Sequence, residues 1–253
     1  MNRLRWLKPG SGMLPIIVFL GLWEVAARIG LFHGNFFFPP FTLVIRESYQ
    51  LTVNGVLPEN FLRSLLRVLA GFSTGSAAGL IIGILMGYRE CVNKTLHPIF
   101  SLLYPIPALG WLPVLMLCVG IGEMLPIIII FICSFFPVLY NTITGIRTVD
   151  PNLVNAARTL GASEWKILFT VALPLALPHI FTGLRLEAGM AWRVVIAAEM
   201  VAIPTGIGAL LMKAESLIRI DIVIVCLMVL AVMCLSFERV FIFAERKLTS
   251  RWR

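Results

Sequence analysis

Apolar residues in this chain fall into six long runs separated by short polar stretches, at about 13–31, 65–88, 96–119, 125–145, 176–203 and 222–243. Each run can carry a helix across a hydrocarbon layer, which needs roughly 20 apolar residues rising about 1.5 Å each. Arg3, Arg5 and Lys8 precede the first run, as in a secretory signal. No small-x-small cleavage site follows cleanly, so the run is read as an uncleaved first membrane helix. Between the first two runs, residues 41–53 are patterned as an amphipathic helix lying at the membrane interface. The third run contains Pro98, Pro105, Pro107 and Pro113, which predict a kinked or broken span. Gly120 to Glu123 reads as a tight turn, and residues 204–221 as a loop holding Gly206, Gly208 and a short amphipathic piece.

Composition makes lipid the solvent for much of the chain. Of 253 residues, 59% are hydrophobic and 13% charged, against roughly 45–50% and 25% in soluble proteins. This excludes an ordinary soluble fold, intrinsic disorder and a secreted disulfide scaffold. The formal charge of +8 would suit nucleic acid, but the basic residues lie at the termini and between the runs, which is how charge orients membrane helices. No nucleic-acid partner is expected. Six spans put both termini on one side. Arg3, Arg5, Lys8, Arg89, Lys94, Arg147, Arg158, Lys166, Arg246, Lys247, Arg251 and Arg253 share that side, and only Arg46, Arg63, Lys213 and Arg219 lie opposite. The basic-rich side is therefore predicted to be cytoplasmic. Four of the five cysteines lie inside apolar runs, and the three histidines are isolated. No metal site is expected.

Three features carry candidate chemistry. Gly71, Gly75, Gly79, Gly83 and Gly87 recur every fourth residue of the second run, forming a stripe that admits a neighbouring helix closely. It serves either as fixed packing or as a seam between helices that move. The fifth run holds Arg185, Glu187, Arg193 and Glu199, charges that by default face a bundle interior or a watery path. Arg185, Trp192 and Glu199 are seven apart and share one helical face, with Arg193 about 100° from Trp192. These four residues either form structural pairs or line a path whose arginine suits an anion. Glu24 in the first run is read as pairing with an arginine. In the polar stretch 147–169, Asp150 and Pro151 open a short helix, Leu153, Val154, Ala157 and Leu160 give it an apolar face, Gly161 ends it, and Ser163 caps a second helix leading to Pro174.

That stretch resembles a known pattern. Asn155-Ala-Ala, three residues, Gly161, nine residues and Val171-Ala-Leu-Pro174 are similar to the EAA motif of the type I membrane subunits of ATP-driven importers, the ABC permeases. Ser64-Leu-Leu-Arg-Val-Leu-Ala-Gly-Phe72, the Tyr-Pro-Ile-Pro-Ala-Leu-Gly-Trp-Leu-Pro of the third run, Gly120-Ile-Gly-Glu123, Pro137-Val-Leu-Tyr-Asn-Thr142 and Ala197-Ala-Glu-Met200 resemble the branch importing aliphatic sulfonates, taurine, nitrate and bicarbonate. The likeness spans roughly 60–245 and is weaker in the first run. It divides the chain into a first helix and external segment (1–59), a permease domain (60–245) and a basic cytoplasmic tail (246–253).

The resemblance implies an all-α integral membrane protein of six transmembrane helices with the type I importer fold. In that family the EAA loop is a coupling helix seated in a groove of the ATPase, which assigns docking here to Asn155, Ala156, Ala157 and Gly161. The usual motif glutamate is Asn155, so a salt bridge to an ATPase arginine is lost. The resemblance also implies a second permease copy, two cytoplasmic ATPase subunits that hold ATP and magnesium, and an external substrate-binding protein. The chain itself contains no G-x-x-x-x-G-K-[ST] loop and no Gly-Lys pair, so no cofactor and no catalytic role are assigned to it. For the substrate, a small anion and a pyrimidine-type vitamin precursor both stay open. A membrane-embedded enzyme would need paired carboxylates or a histidine cluster, which are absent. A passive channel would not need a docking loop.

Overall fold

The computed structural model describes residues 14–30 and 38–249, and every regular element among them is helical. The elements are α1 (Leu14–Ile29), α2 (Phe41–Val53), α3 (Val56–Tyr88), α4 (Glu90–Leu103), α5 (Leu112–Val119), α6 (Met124–Arg147), α7 (Pro151–Thr159), α8 (Glu164–Ile167), α9 (Leu173–Ala202), α10 (Ile207–Ser216) and α11 (Ile220–Thr249). A 3₁₀ turn, Ala108–Trp111, leads into α5, and a π turn, Leu168–Ala172, joins α8 to α9.

The centre is α6, held between α3 and α9, with α11 against α9 and α10 across the ends of α9 and α11. Leu125, Ile129 and Ile130 of α6 meet Val68 and Phe72 of α3 and Ala191, Trp192 and Val195 of α9 in the main core. Met86, Phe135, Leu139 and Ile143 continue it along the α3–α6 contact. Much of the outer surface is apolar, Leu102, Leu117, Val201 and Phe243 among it, as hydrocarbon solvent permits.

Among the described residues, four continuous helical segments are long and apolar enough to cross a membrane: Val56–Tyr88, Met124–Arg147, Glu164–Ala202 and Ile220–Lys247. The third run is broken: α4 and the helical stretch Ala108–Val119 meet at 82°. Pro105 and Pro107 occupy the break, and Pro113 sits in the first turn of α5, where no backbone donor is required. The first run corresponds to α1, whose 16 described residues reach about 24 Å; the expected start at 13 and end at 31 lie outside the described residues. The six-run reading thus appears as four unbroken spans, one broken span and α1.

Two boundaries differ from the hydropathy pattern. α3 begins at Val56, nine residues before the apolar run, because Pro58 falls in its first turn and Glu59 pairs with Arg63 one turn on, 3.0 Å apart. The second helix of the 147–169 stretch, α8, does not stop before the fifth span but runs into it through the π turn. Pro174 cannot donate to the carbonyl four residues back, and the ladder widens just ahead of it. Glu24 pairs with Arg28 at 2.7 Å and also accepts from the Thr42 hydroxyl and backbone N–H, which ties α1 to the start of α2.

Candidate functional site

The segment after α6 is held by local chemistry at each turn. The Asp150 carboxylate accepts from the Asn152 N–H at 2.9 Å, and Pro151 occupies the first helical position. Gly161 takes the left-handed conformation, φ 77°, and its N–H reaches the Arg158 carbonyl, while Ala162 N–H reaches Ala157. Ser163 caps α8 by accepting from the Lys166 N–H. No residue of α7 is buried; Asn155, Ala156 and Gly161 are exposed and Ala157 is half-buried. Leu153, Leu160 and Trp165 also face outward, Leu160 at 87% exposure. α7 rests chiefly on α8 and the π turn. A folded, capped helix carrying bare apolar side chains beside polar ones is a shape suited to a groove in another protein.

One charged joint ties α7 to the bundle. Arg158 Nε donates to Glu164 Oε1 at 2.9 Å. The Tyr88 hydroxyl, on the last residue of α3, lies 2.5 Å from Glu164 Oε2 and 2.9 Å from the Glu164 carbonyl. The Glu164 carboxylate raises the Arg158 guanidinium pKa above its usual value by accepting that hydrogen bond.

The glycine stripe on α3 faces α6 along its whole length. A methyl group at Gly71 would sit 2.7 Å from the Ile127 carbonyl oxygen, at Gly75 2.5 Å from that of Phe131, and at Gly79 2.5 Å from that of Phe135. At Gly83 and Gly87 it would meet Thr142 and Ile146 side chains. The two helices therefore touch backbone to backbone at the first three positions, closer than any side chain allows.

At the other end of α6, the segments 64–72, 120–123 and 197–200 converge. Arg67 of α3, only 2% exposed, donates Nε to Glu123 at 2.7 Å and Nη1 to Glu199 at 2.6 Å. Its remaining donors reach the Thr205 carbonyl and hydroxyl. Glu199, 1% exposed, also accepts from the Ser64 hydroxyl and the Gly208 N–H. Ser64 Oγ in turn accepts from Ile207 N–H, and Asn60 accepts from Gly206 N–H. The cluster pins α3, the turn before α6, the end of α9 and the start of α10 together. Glu123 is its outer, solvent-facing member, held below the ordinary carboxylate range by its hydrogen bonds from Arg67.

The four residues of the fifth run read as a candidate path lining, Arg185, Trp192, Arg193 and Glu199, are not all brought to one place. Glu199 lies in the buried cluster. Trp192 lies in the core, 2% exposed, stacked parallel to Phe61 at 6.4 Å and edge-on to Phe237. Arg185 lies 3.6 Å from Glu245 of α11. Arg193 is exposed, with the Met190 sulfur at 3.6 Å as its contact. Arg185 and Arg193 do share one place: with Leu186, Gly189, Met190 and Glu238 they line a groove of about 260 Å³ between α9 and α11. The sequence pattern alone points to no role for Arg67, Ser64, Glu123 or Glu238. Arg67 carried a usable signal, being a lone arginine inside an apolar run, which requires an acid partner in hydrocarbon.

Comparison with known proteins gives this arrangement its family. The sequence profile of the binding-protein-dependent transport system inner membrane component matches residues 76–250. The chain is 44% identical over 206 residues to a putative ABC transporter permease protein of Methanocaldococcus jannaschii, covering 81% of this chain and 77% of that one. It is 31% identical to the taurine transport system permease protein of Escherichia coli, covering 98% and 94%, and 35% identical to the nitrate import permease protein of a Synechocystis strain, covering 80% and 77%. Among solved structures, an inward-facing form of the MetNI methionine ABC transporter superimposes with a TM-score of 0.57 at 17% identity, over 79% of this chain and 97% of that one, a likeness of fold. The chain belongs to the binding-protein-dependent inner membrane components: it is a permease subunit of an ABC importer.

Proposed function

We propose that this permease moves a small anion into the cytoplasm by alternating access, and that α7 is the helix through which an ATPase subunit drives it. The observation that carries the proposal is α7 itself: capped at both ends, unburied, and presenting Asn155, Ala156, Ala157 and Gly161 together with bare Leu153 and Leu160. Such a helix is stable enough to hold its shape and is left uncovered by the other described residues. The taurine and nitrate permeases among its relatives support an anionic substrate. The excess of Lys and Arg on the α7 side supports cytoplasmic termini and a cytoplasmic α7.

In this reading two copies of the permease assemble with two ATPases, which hold ATP and magnesium, and with an external binding protein. ATPase closure pushes α7, and the Arg158–Glu164–Tyr88 joint passes the push to α3. The glycine seam between α3 and α6 is the contact that admits a second packing, as a two-state element requires. The test is affinity purification of the chain from its native membrane in mild detergent. A stoichiometric P-loop ATPase is expected, and Gly161→Pro should abolish both its recovery and uptake. A clean homo-oligomer without ATPase, or a Gly161→Pro variant that docks and transports normally, would overturn the assignment of α7.

A further inference from the structure

We infer that the groove between α9 and α11 is a zwitterion-selective part of the import path, in which Arg193 takes the anionic head of the substrate and Glu238 its ammonium group. The inference rests on the anion-import reading and narrows it. Arg185, Arg193 and Glu238 are the charged residues lining the groove. Arg185 is engaged by Glu245. Arg193 and Glu238 lie beyond ion-pair distance of each other and have no ion pair with any described residue. Between them the Cys234 thiol points to the Gly189 carbonyl at 3.7 Å, across the α9–α11 contact.

An unpaired arginine and an unpaired glutamate on neighbouring spans are costly unless water or a ligand reaches them. Opposite charges that close on nothing of their own leave room for a small molecule between them, and the floor is open there: Gly189 has nothing within 4 Å of where its Cβ would be. A simple anion such as nitrate would satisfy Arg193 and be repelled by Glu238. A short molecule with an acidic head and an amine satisfies both. Specificity against the simple anion then comes from the repulsive group as much as from the attractive one.

The test uses the complete importer with its ATPase and binding protein in proteoliposomes, with labelled 2-aminoethanesulfonate and its amine-free analogue ethanesulfonate as probes. Each variant is compared with the unaltered permease for each probe, so the preference of the binding protein cancels. Glu238→Gln should lower 2-aminoethanesulfonate uptake by about tenfold and raise ethanesulfonate uptake, because the repelling carboxylate is gone, whereas Arg193→Gln should lower both by about tenfold. Equal effects of Glu238→Gln on the two probes, or none, overturn the zwitterion assignment; the anion reading then stands if Arg193→Gln still lowers ethanesulfonate uptake. Uptake of both probes untouched by Arg193→Gln removes the groove from the path altogether. Recovery of the ATPase and of a second, differently tagged permease copy with each variant reports assembly. Loss of the second copy in Glu238→Gln would make the two charges a subunit contact and also overturn the proposal.

Discussion

The two ends of α6 use charge in opposite ways. At its start, Arg67 and Glu199 are sealed from solvent and each spends nearly all its hydrogen-bonding capacity on the other elements around it. At its end, Arg158 and Glu164 pair in the open, half exposed, beside a helix with no buried residue. A buried pair is strong against breakage because removing one partner strands the other in a medium that cannot solvate it. An exposed pair is replaced by water at little cost. One end of the bundle is thus a fixed joint among four segments, and the other is an adjustable one. That is the division of labour expected where one end must keep its shape while the other follows a moving partner.

The largest effect should come from breaking the sealed joint. Arg67→Met leaves Glu199 buried without its cation and should cost about 3–5 kcal/mol, read as a lowered thermal midpoint of the detergent-purified permease. The double variant Arg67→Met, Glu199→Gln should recover part of that loss. Next comes the seam that links the two ends. Gly75→Ala places a methyl group against the Phe131 backbone and should cost about 1–3 kcal/mol. Gly21→Ala, on α1 where nothing lies within 4 Å, should be neutral or stabilising. An equal cost at both positions would deny that α3 and α6 depend on their close approach.

At the adjustable end the effects should be local. Asp150→Ala should cost about 1 kcal/mol of α7 stability, seen as faster amide exchange from Asn152 to Ala156 with the global midpoint unchanged. Smallest in stability, and aimed at function, is Glu164→Gln. It loosens Arg158 and Tyr88 without exposing a buried group, so thermal unfolding should not move. Transport per ATP hydrolysed should fall while ATPase recovery stays intact. A matching loss of ATPase recovery would mean that Glu164 shapes the docking surface rather than transmitting through it.

How legible these regions were in the sequence follows the range of the interactions. α7 could be read closely because everything that makes it is local: Asp150, Pro151, Gly161 and Ser163 act within four residues of themselves. The glycine stripe was equally visible, being a periodic pattern on one helix, although the identity of its partner, α6, was not. The sealed cluster was invisible as a cluster. Ser64 and Arg67 lie 135 and 132 positions from Glu199, and Glu123 lies 56 from Arg67, separations that no helical periodicity spans. The seven-residue spacing of Arg185, Trp192 and Glu199 put them on one side of an ideal helix, but neighbours decide what that side meets. α11 covers the Arg185 end, Phe61 and Phe237 take Trp192, and Arg67 takes Glu199.

The Glu199 carboxylate occupies the space where Gly206 would carry a side chain, and its Cβ approaches the missing one of Gly208. Gly206 also holds a φ of 106°, which other residues rarely adopt. Inheritance at these three positions is therefore linked. While 199 is a glutamate, a substitution at 206 has no place to go, so the chain cannot drift to a new residue there by single steps. An escape would have to shorten residue 199 first, which takes from Arg67 its buried carboxylate and leaves it only Glu123 and Thr205, and so passes through a less stable permease before it reaches another stable one.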